Sequence, residues 1–460
     1  MNHRAIFIFR RDLRLEDNVG LMRALEESER VLPVFIFDPR QADPEKNGYF
    51  SQRAFAFLCA SLHELDSELR IRGSRLFVFE GEAHDVVSRL VGEQRIQSVY
   101  ANADYTPFAR ARDSTLTRAC DGEGIPFILS QDVPLSPIED IRTGEGHLYS
   151  VFTPFMRRAM AHPVARPHVN THVNYWHGGI EGTVGIPHAE AASGGRRAGI
   201  ELLGRLSTFA RYKENRDRLS VDGTSQLSVH HKFGTVSVRE TYWAAKDGGL
   251  DEQFISELYW RDFYLYIARH FPHVFGRSFL EWGDYLGWMN DEAQFVAWQE
   301  GRTGFPIVDA GMRQLRETGW MHNRARMIVA SFLTKNLLID WRWGEKHFAR
   351  HLIDYDPASN NGGWQWSASV GADPRPLRIF NPYAQAQKYD PDAVYIKRWV
   401  PELAKVDASH LTDGEASDLS ALAPYPAPII DYAMSYRRAQ EAYRAAKQRY
   451  RDAGNENSRA

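Results

Sequence analysis

Three short stretches carry residue types that can do chemistry together. In GWMHNRARM (319–327), His322, Asn323, Arg324 and Arg326 fall within five residues. On a helix, Asn323 and Met327 share one face, His322 and Arg326 the next, and Arg324 points elsewhere, toward solvent or a phosphate. A core helix holds such groups only when they have partners, so the choice lies between a ligand site and a structural salt-bridge network. In LIDYDPASNNGGWQW (352–366), Asp354, Asp356 and Asn360 precede paired glycines, Trp364 and Trp366. Glycines permit close backbone approach or a positive φ, and indoles are large flat apolar groups. That suits a polar ligand lying against backbone, with core packing the plain alternative for each tryptophan. In VDGTSQLS (221–228), Thr224, Ser225 and Ser228 follow an Asp-Gly turn. Hydroxyls and free N–H groups at a helix start suit a phosphate, although capping alone also accounts for such a string.

The elements that must position these residues divide the chain. Its 460 residues exceed one compact core, and 43% hydrophobic with 25% charged content is ordinary for a globular protein. No apolar run approaches the ~20 residues of a membrane span, and the N-terminal apolar stretch is too short for a signal peptide. Cys59 and Cys120 lack CxxC partners, which excludes a disulfide scaffold and a cysteine zinc site. Residues 1–130 alternate strand-length apolar runs (AIFIFR, VLPVFIF, RLFVFE, QSVYAN, PFILS) with amphipathic stretches such as 50–70. This predicts an α/β domain with a doubly wound five-stranded parallel sheet. No GxGxxG follows the first run. Residues 131–204 are rich in Pro, Gly and His and read as a linker, its histidines as surface rather than metal ligands. From 205 to 460 the helical period dominates and predicts an all-α domain. Net charge is −6 over residues 1–150 and +5 over residues 301–350, so a polyanion belongs to the second half.

The three stretches, with FRRDLRLEDN (9–18), ELYWRDFY (257–264), WQEGRTGFPIVDAGMRQL (298–315) and PLRIFNP (376–382), resemble the DNA photolyase/cryptochrome family over nearly the whole chain. They look specifically like class I cyclobutane pyrimidine dimer photolyases. The resemblance implies an α/β domain (1–130), a linker (131–204) and a helical FAD and DNA domain (205–460). It implies a light-driven lyase: excited reduced FAD passes one electron to the dimer, the cyclobutane ring opens, and the electron returns, with no metal. FAD would be held by Tyr212, Thr224, Ser225, Gln226, Leu227, Ser228, Arg261, Asn323, Arg326, Asp354, Tyr355, Asp356 and Asn360. Arg326 would pair with Asp354, since neither charge is tolerated alone. Asn360 would face flavin N5, where an amide favours the reduced flavin over an acid such as the Asp of plant cryptochromes.

The lesion, flipped out of the duplex, would meet Glu257, Trp260, Asn323, Met327 and Trp366. Glu257, Asn323 and Asn360 would act in catalysis, and Trp364, Trp341 and Trp288 would carry electrons between flavin and surface, with Trp298 as ordinary core. Arg216, Arg324 and Arg378 would hold the DNA backbone, with Lys388, Lys397 and Arg398 as further candidates. (6-4) photolyases carry histidines at the places of Asn323 and Met327, and cryptochrome receptors often have a long C-terminal extension; both stand as alternatives. The folate-gripping Asn-Glu pair of many relatives is replaced by Phe108-Ala109 in YTPFARARD (105–113), which disfavours a folate antenna. PFARARD is closer to deazaflavin-type relatives, with Arg11, Phe35, Asp38 and Asp104 as contacts; FMN or no antenna stays open. The expected partner is damaged DNA, with no membrane, for a cytoplasmic, nucleoid-associated monomer.

Overall fold

The computed structural model describes residues 2–188, 194–412 and 419–457. Strands β1 (Asn2–Phe9), β2 (Ser28–Phe37), β3 (Phe77–Glu80), β4 (Ser98–Asn102) and β5 (Phe127–Ser130) form one parallel sheet in the order β3-β2-β1-β4-β5. Side chains alternate between two buried faces. Phe7, Phe9, Phe35 and Val78 pack toward Phe57 and Leu65 of the helix Gln52–Ile71. Ile6, Ile8, Val34 and Phe79 pack on the other side, toward Val87 and Leu90 of the helix Ala83–Gln94. A strand covered on both faces reads as a continuous apolar run, which is why the period was visible without polar alternation. The order reverses between β1 and β4, and a crevice opens beyond the carboxyl ends of those strands, as open α/β sheets require.

The second half is helical. The helices that concern function are Glu252–His270, Asn323–Ser331, Trp341–His351 and Pro357–Ser367. Asn323–Ser331 runs on into a π-helical turn, Phe332–Asn336. His322 is the residue before the helix begins, and its ring nitrogen accepts the Arg324 N–H at 3.1 Å. The expected shared face of His322 and Arg326 therefore does not exist, because capping took the histidine out of the helix.

The segment 131–204 is more than a linker. It holds the helices Phe152–Ala159 and Arg196–Gly204. Val133, Leu135, Ile138, Phe152 and Phe155 are buried in one cluster with Phe254, Tyr259 and Phe263 of the helical half. Their irregular spacing among prolines and glycines carries no period to read. Four buried charges tie the parts together: Arg14 meets Asp132 at 2.6 Å, and Arg239 meets Asp17 at 3.0 Å and Asp132 at 2.8 Å. Removing any one would strand another in a dry interior. Among the described residues no helix is long and apolar enough to cross a membrane.

Candidate functional site

A cavity of about 490 Å³ opens within the helical half. The helix Glu252–His270 brings Glu257, Trp260 and Arg261 to it; Asn323–Ser331 brings Asn323, Arg324, Arg326 and Met327; Pro357–Ser367 brings Asn360, Gly363, Trp364 and Trp366. Tyr212, Ser225, Leu227, Ser228, Asp354, Tyr355 and Asp356 complete the wall, whereas Thr224 and Gln226 do not reach it. Gln226 sits at φ 53° with its amide turned to Asp222, at 3.4 Å.

NNGGWQW is helical despite its two glycines, which local propensity disfavours. Asp356 caps the helix by accepting the Ser359 N–H at 2.8 Å, and Pro357 occupies its first turn. Neither Gly362 nor Gly363 has a positive φ. A Cβ on Gly362 would collide with the ring of Tyr264, whereas one on Gly363 would meet no other atom within 4 Å. Close approach, then, explains the first glycine, and the second keeps its wall position clear. Gly344 plays the same part for Trp364, whose ring fills the place of a side chain there.

Most of the cavity's charges are paired. Arg326 donates to both oxygens of Asp354, at 3.1 and 2.9 Å, and to the Met321 carbonyl at 2.8 Å. Glu257 is paired with Arg216 and accepts from Gln253 at 2.7 Å. Arg324 binds Asp217 at 2.9 Å and lies 4.3 Å over Tyr389. Arg216 and Arg324 are thus half-buried members of ion pairs at the cavity wall. Arg378, Lys388 and Arg398 are exposed, and Lys397 is half-buried. Asn360 donates to Glu345 at 3.0 Å and to its backbone carbonyl at 3.2 Å, which leaves the amide oxygen for the cavity. Burial pushes the Glu345 carboxyl up to about 7. Arg261 donates to the carbonyls of Val133 and His231, at 2.7 and 3.4 Å.

Trp260 stacks on Phe152 at 3.7 Å. The indole N–H groups of Trp364, Trp366 and Trp341 are buried without a partner among the described residues. Trp341 lines the neighbouring cavity, Trp288 is half-buried against the same core, and Trp298 is fully buried, donating to the Val329 carbonyl at 3.1 Å. The Trp298 and Trp364 rings lie 6.1 Å apart.

A second cavity, about 650 Å³, lies between the halves at the crevice beyond β1 and β4. Phe35, Asp38, Arg11 and Asp104 line it together with Tyr49, Phe50, Phe55 and Phe108. Asp38 is held by Arg40, at 2.5 Å, and Arg40 lies 5.1 Å over Phe108. Arg11 meets Asp104 at 3.3 Å and pairs with Asp356 of the first cavity. Burial alone would raise Asp356, but Arg11, Lys232 and Arg261 hold its carboxyl well below the usual range. Lys232 and Tyr355 line both cavities. Burial and Arg11 pull the Lys232 ammonium down to about 8, against Asp356, Asp104 and Asp354.

Sequence reasoning missed Lys232, Tyr264, Glu345 and Lys335. One signal was available: Lys335 is the single charged residue between Arg326 and Asp340. The donor set of the first cavity fits a flat aromatic group that hydrogen-bonds along its edge and carries phosphate.

Comparisons with known proteins agree with this geometry. Residues 5–170 match the family described as "DNA photolyase", and residues 254–445 the "FAD binding domain of DNA photolyase". The deoxyribodipyrimidine photo-lyase of a Synechococcus strain is 38% identical, covering 96% of each chain. That of Escherichia coli is 36% identical, covering 95% of this chain and 98% of the relative. Among solved structures, the archaeal photolyase of Sulfolobus tokodaii "with two FAD molecules" is 43% identical with a TM-score of 0.87, covering 96% of this chain and all of that one. A class III photolyase of Agrobacterium tumefaciens is 32% identical with a TM-score of 0.86, covering 97% of this chain and 98% of that one.

Proposed function

This chain belongs to the DNA photolyase/cryptochrome family, its near-full-length photo-lyase relatives make it an FAD-binding DNA-repair lyase, and from that premise we propose that it acts as a class I enzyme on cyclobutane pyrimidine dimers, by light-driven electron transfer. One observation carries the reading: a single cavity joins the Arg326–Asp354 pair and Asn360 to the walls Trp260, Met327 and Trp366.

When bound, reduced FAD supplies a light-excited one-electron donor. Arg326, Asp354, Asp356, Arg261, Ser225 and Ser228 would hold it, and Asn360 leaves a neutral acceptor facing the cavity. Glu345 fixes that orientation by taking both N–H bonds of the Asn360 amide. Trp260, already stacked on Phe152, and Trp366 clasp the flipped pyrimidines, so their faces lose little freedom on binding. Glu257, held by Arg216, can accept from a pyrimidine N–H, and the Asn323 amide can donate to a pyrimidine carbonyl as negative charge develops there. Trp364, Trp341 and Trp288 form the electron path between this cavity and the surface.

The test is to expose the reduced protein and dimer-containing DNA to blue light. Restored pyrimidines support the reading, and restored (6-4) products or no repair sink it. Trp364→Phe should block flavin photoreduction yet spare repair by chemically reduced enzyme; unchanged photoreduction would remove Trp364 from the path. The second cavity takes a flat light-harvesting chromophore between Phe35, Phe50, Phe55 and Tyr49. A deazaflavin type is favoured, and a flavin is the alternative that the two-FAD relative supports. The absorption spectrum of the isolated protein separates them.

A further inference from the structure

Beside the first cavity lies a small recess, about 30 Å³, that shares Met327, Trp366 and Ser367 with it. Its inner end is formed by Lys335 and its rim by Arg375 and Arg378. Lys335 is 3% exposed. Its ammonium donates to the Arg378 carbonyl at 2.5 Å, the single hydrogen bond it makes among the described residues. An ammonium has three donors, so two are left over. No carboxylate pairs with Lys335 or with the Arg378 side chain among the described residues; Asp373 is taken by Arg375, at 3.2 Å. Burial, and then Arg378, pull the Lys335 ammonium down to about 7. The lysine sits in the π-helical turn Phe332–Asn336, a distortion frequent at functional sites. A buried cation, an unpaired guanidinium and a π-helical turn around one recess make a place that lacks an anion.

We infer that this recess is a phosphate site, which takes the non-bridging oxygens of one phosphodiester of the strand bearing the flipped lesion, with Lys335 as its buried cation. The recess admits only one or two oxygen-sized groups, so no base or nucleotide fits. A strand whose bases lie between Trp260 and Trp366 must pass its backbone close by, because Trp366 and Met327 are walls of both spaces. The inference rests on the first cavity being the lesion pocket. Its rival is a structural one, in which Lys335 merely bolts the segment carrying Arg375 and Arg378 to the helix.

The test uses flavin-loaded protein and dimer-containing oligonucleotides in which each phosphate near the lesion is replaced in turn by a neutral methylphosphonate. In wild-type protein one position should weaken binding about tenfold. Lys335→Met should bind the unmodified strand about tenfold less tightly, lose nothing further at that position, and show a salt slope smaller by about 1. The same penalty surviving in Lys335→Met, or no position-specific penalty in wild type, overturns the site in favour of the bolt. Should the variant fail to fold, wild type still decides. Raising the pH from 6 to 9 should shrink the penalty at that position, as Lys335 loses its charge while Arg375 and Arg378 keep theirs. Wild-type protein that binds dimer DNA no better than intact DNA would instead sink the lesion-pocket reading beneath it.

Discussion

The cavity in the helical half and the cavity between the halves share Lys232 and Tyr355, yet they hold their charges differently. In the first, Arg326–Asp354 and Arg216–Glu257 close within the helical half. In the second, Arg11 spans the boundary, with Asp104 from its own half and Asp356 from the other. The first cavity is therefore lined by the helical half alone, although its Asp356 is answered by Arg11 of the other half. The second exists only where two domains meet, and its polar groups must satisfy each other before any ligand arrives. The contrast implies that the two sites can be emptied separately from one side but not from the other.

Asp354→Ala breaks this contrast hardest. It leaves the Arg326 guanidinium half-buried and unpaired, at a cost of about 3–5 kcal/mol. Flavin should be lost from the first cavity while a chromophore in the second survives, as the two absorption bands would report. Loss of both would mean the cavities are one unit. Trp366→Ala comes next: removing one aromatic wall should weaken dimer binding by about 1–3 kcal/mol, measured by titration with lesion DNA, and leave the second cavity unchanged. Glu345→Gln sharpens the comparison at the partition, because Glu345 lines the second cavity and orients Asn360 in the first. Its carboxyl is raised to about 7, above the ordinary carboxylate value. The stability it contributes is fully present below pH ~4.5 and is lost as pH rises through about 7. Denaturant unfolding should therefore find the wild type losing about 2 kcal/mol relative to Glu345→Gln between pH 5 and 8. An equal pH slope in both would assign the dependence elsewhere. Phe35→Ala should have the smallest effect, about tenfold weaker retention of the light-harvesting chromophore with repair under direct flavin excitation intact.

The same contrast governs what could be read from the chain. The first cavity draws its wall from three helices whose residues lie close together in sequence, so Asn323 and Met327, or Asn360 and Trp364, announce themselves as clusters. The second collects Phe35 from a strand, Tyr49 from a loop and Phe55, Phe108 and Trp341 from three helices scattered over both halves, and proximity of that kind leaves no local trace. Sheet class was legible from alternating apolar runs, whereas the order β3-β2-β1-β4-β5 was not, because pairing is decided by crossovers rather than by any strand's own residues. Residues 131–204 read as linker because prolines and glycines mask the apolar residues that pack there. Glu345 was invisible because a buried acid looks like a surface one until its neighbours are known.

The four buried charges Arg14, Asp17, Asp132 and Arg239 carry a consequence for how the molecule is made. During synthesis the sheet is complete once residue 130 has left the ribosome, but the guanidinium that answers Asp17 is still more than a hundred residues away. At usual translation speeds that gap lasts roughly 5–20 s. Through that interval the nascent sheet domain must keep Asp17 wet and its docking face open, which makes this the stage at which a chaperone would find the chain.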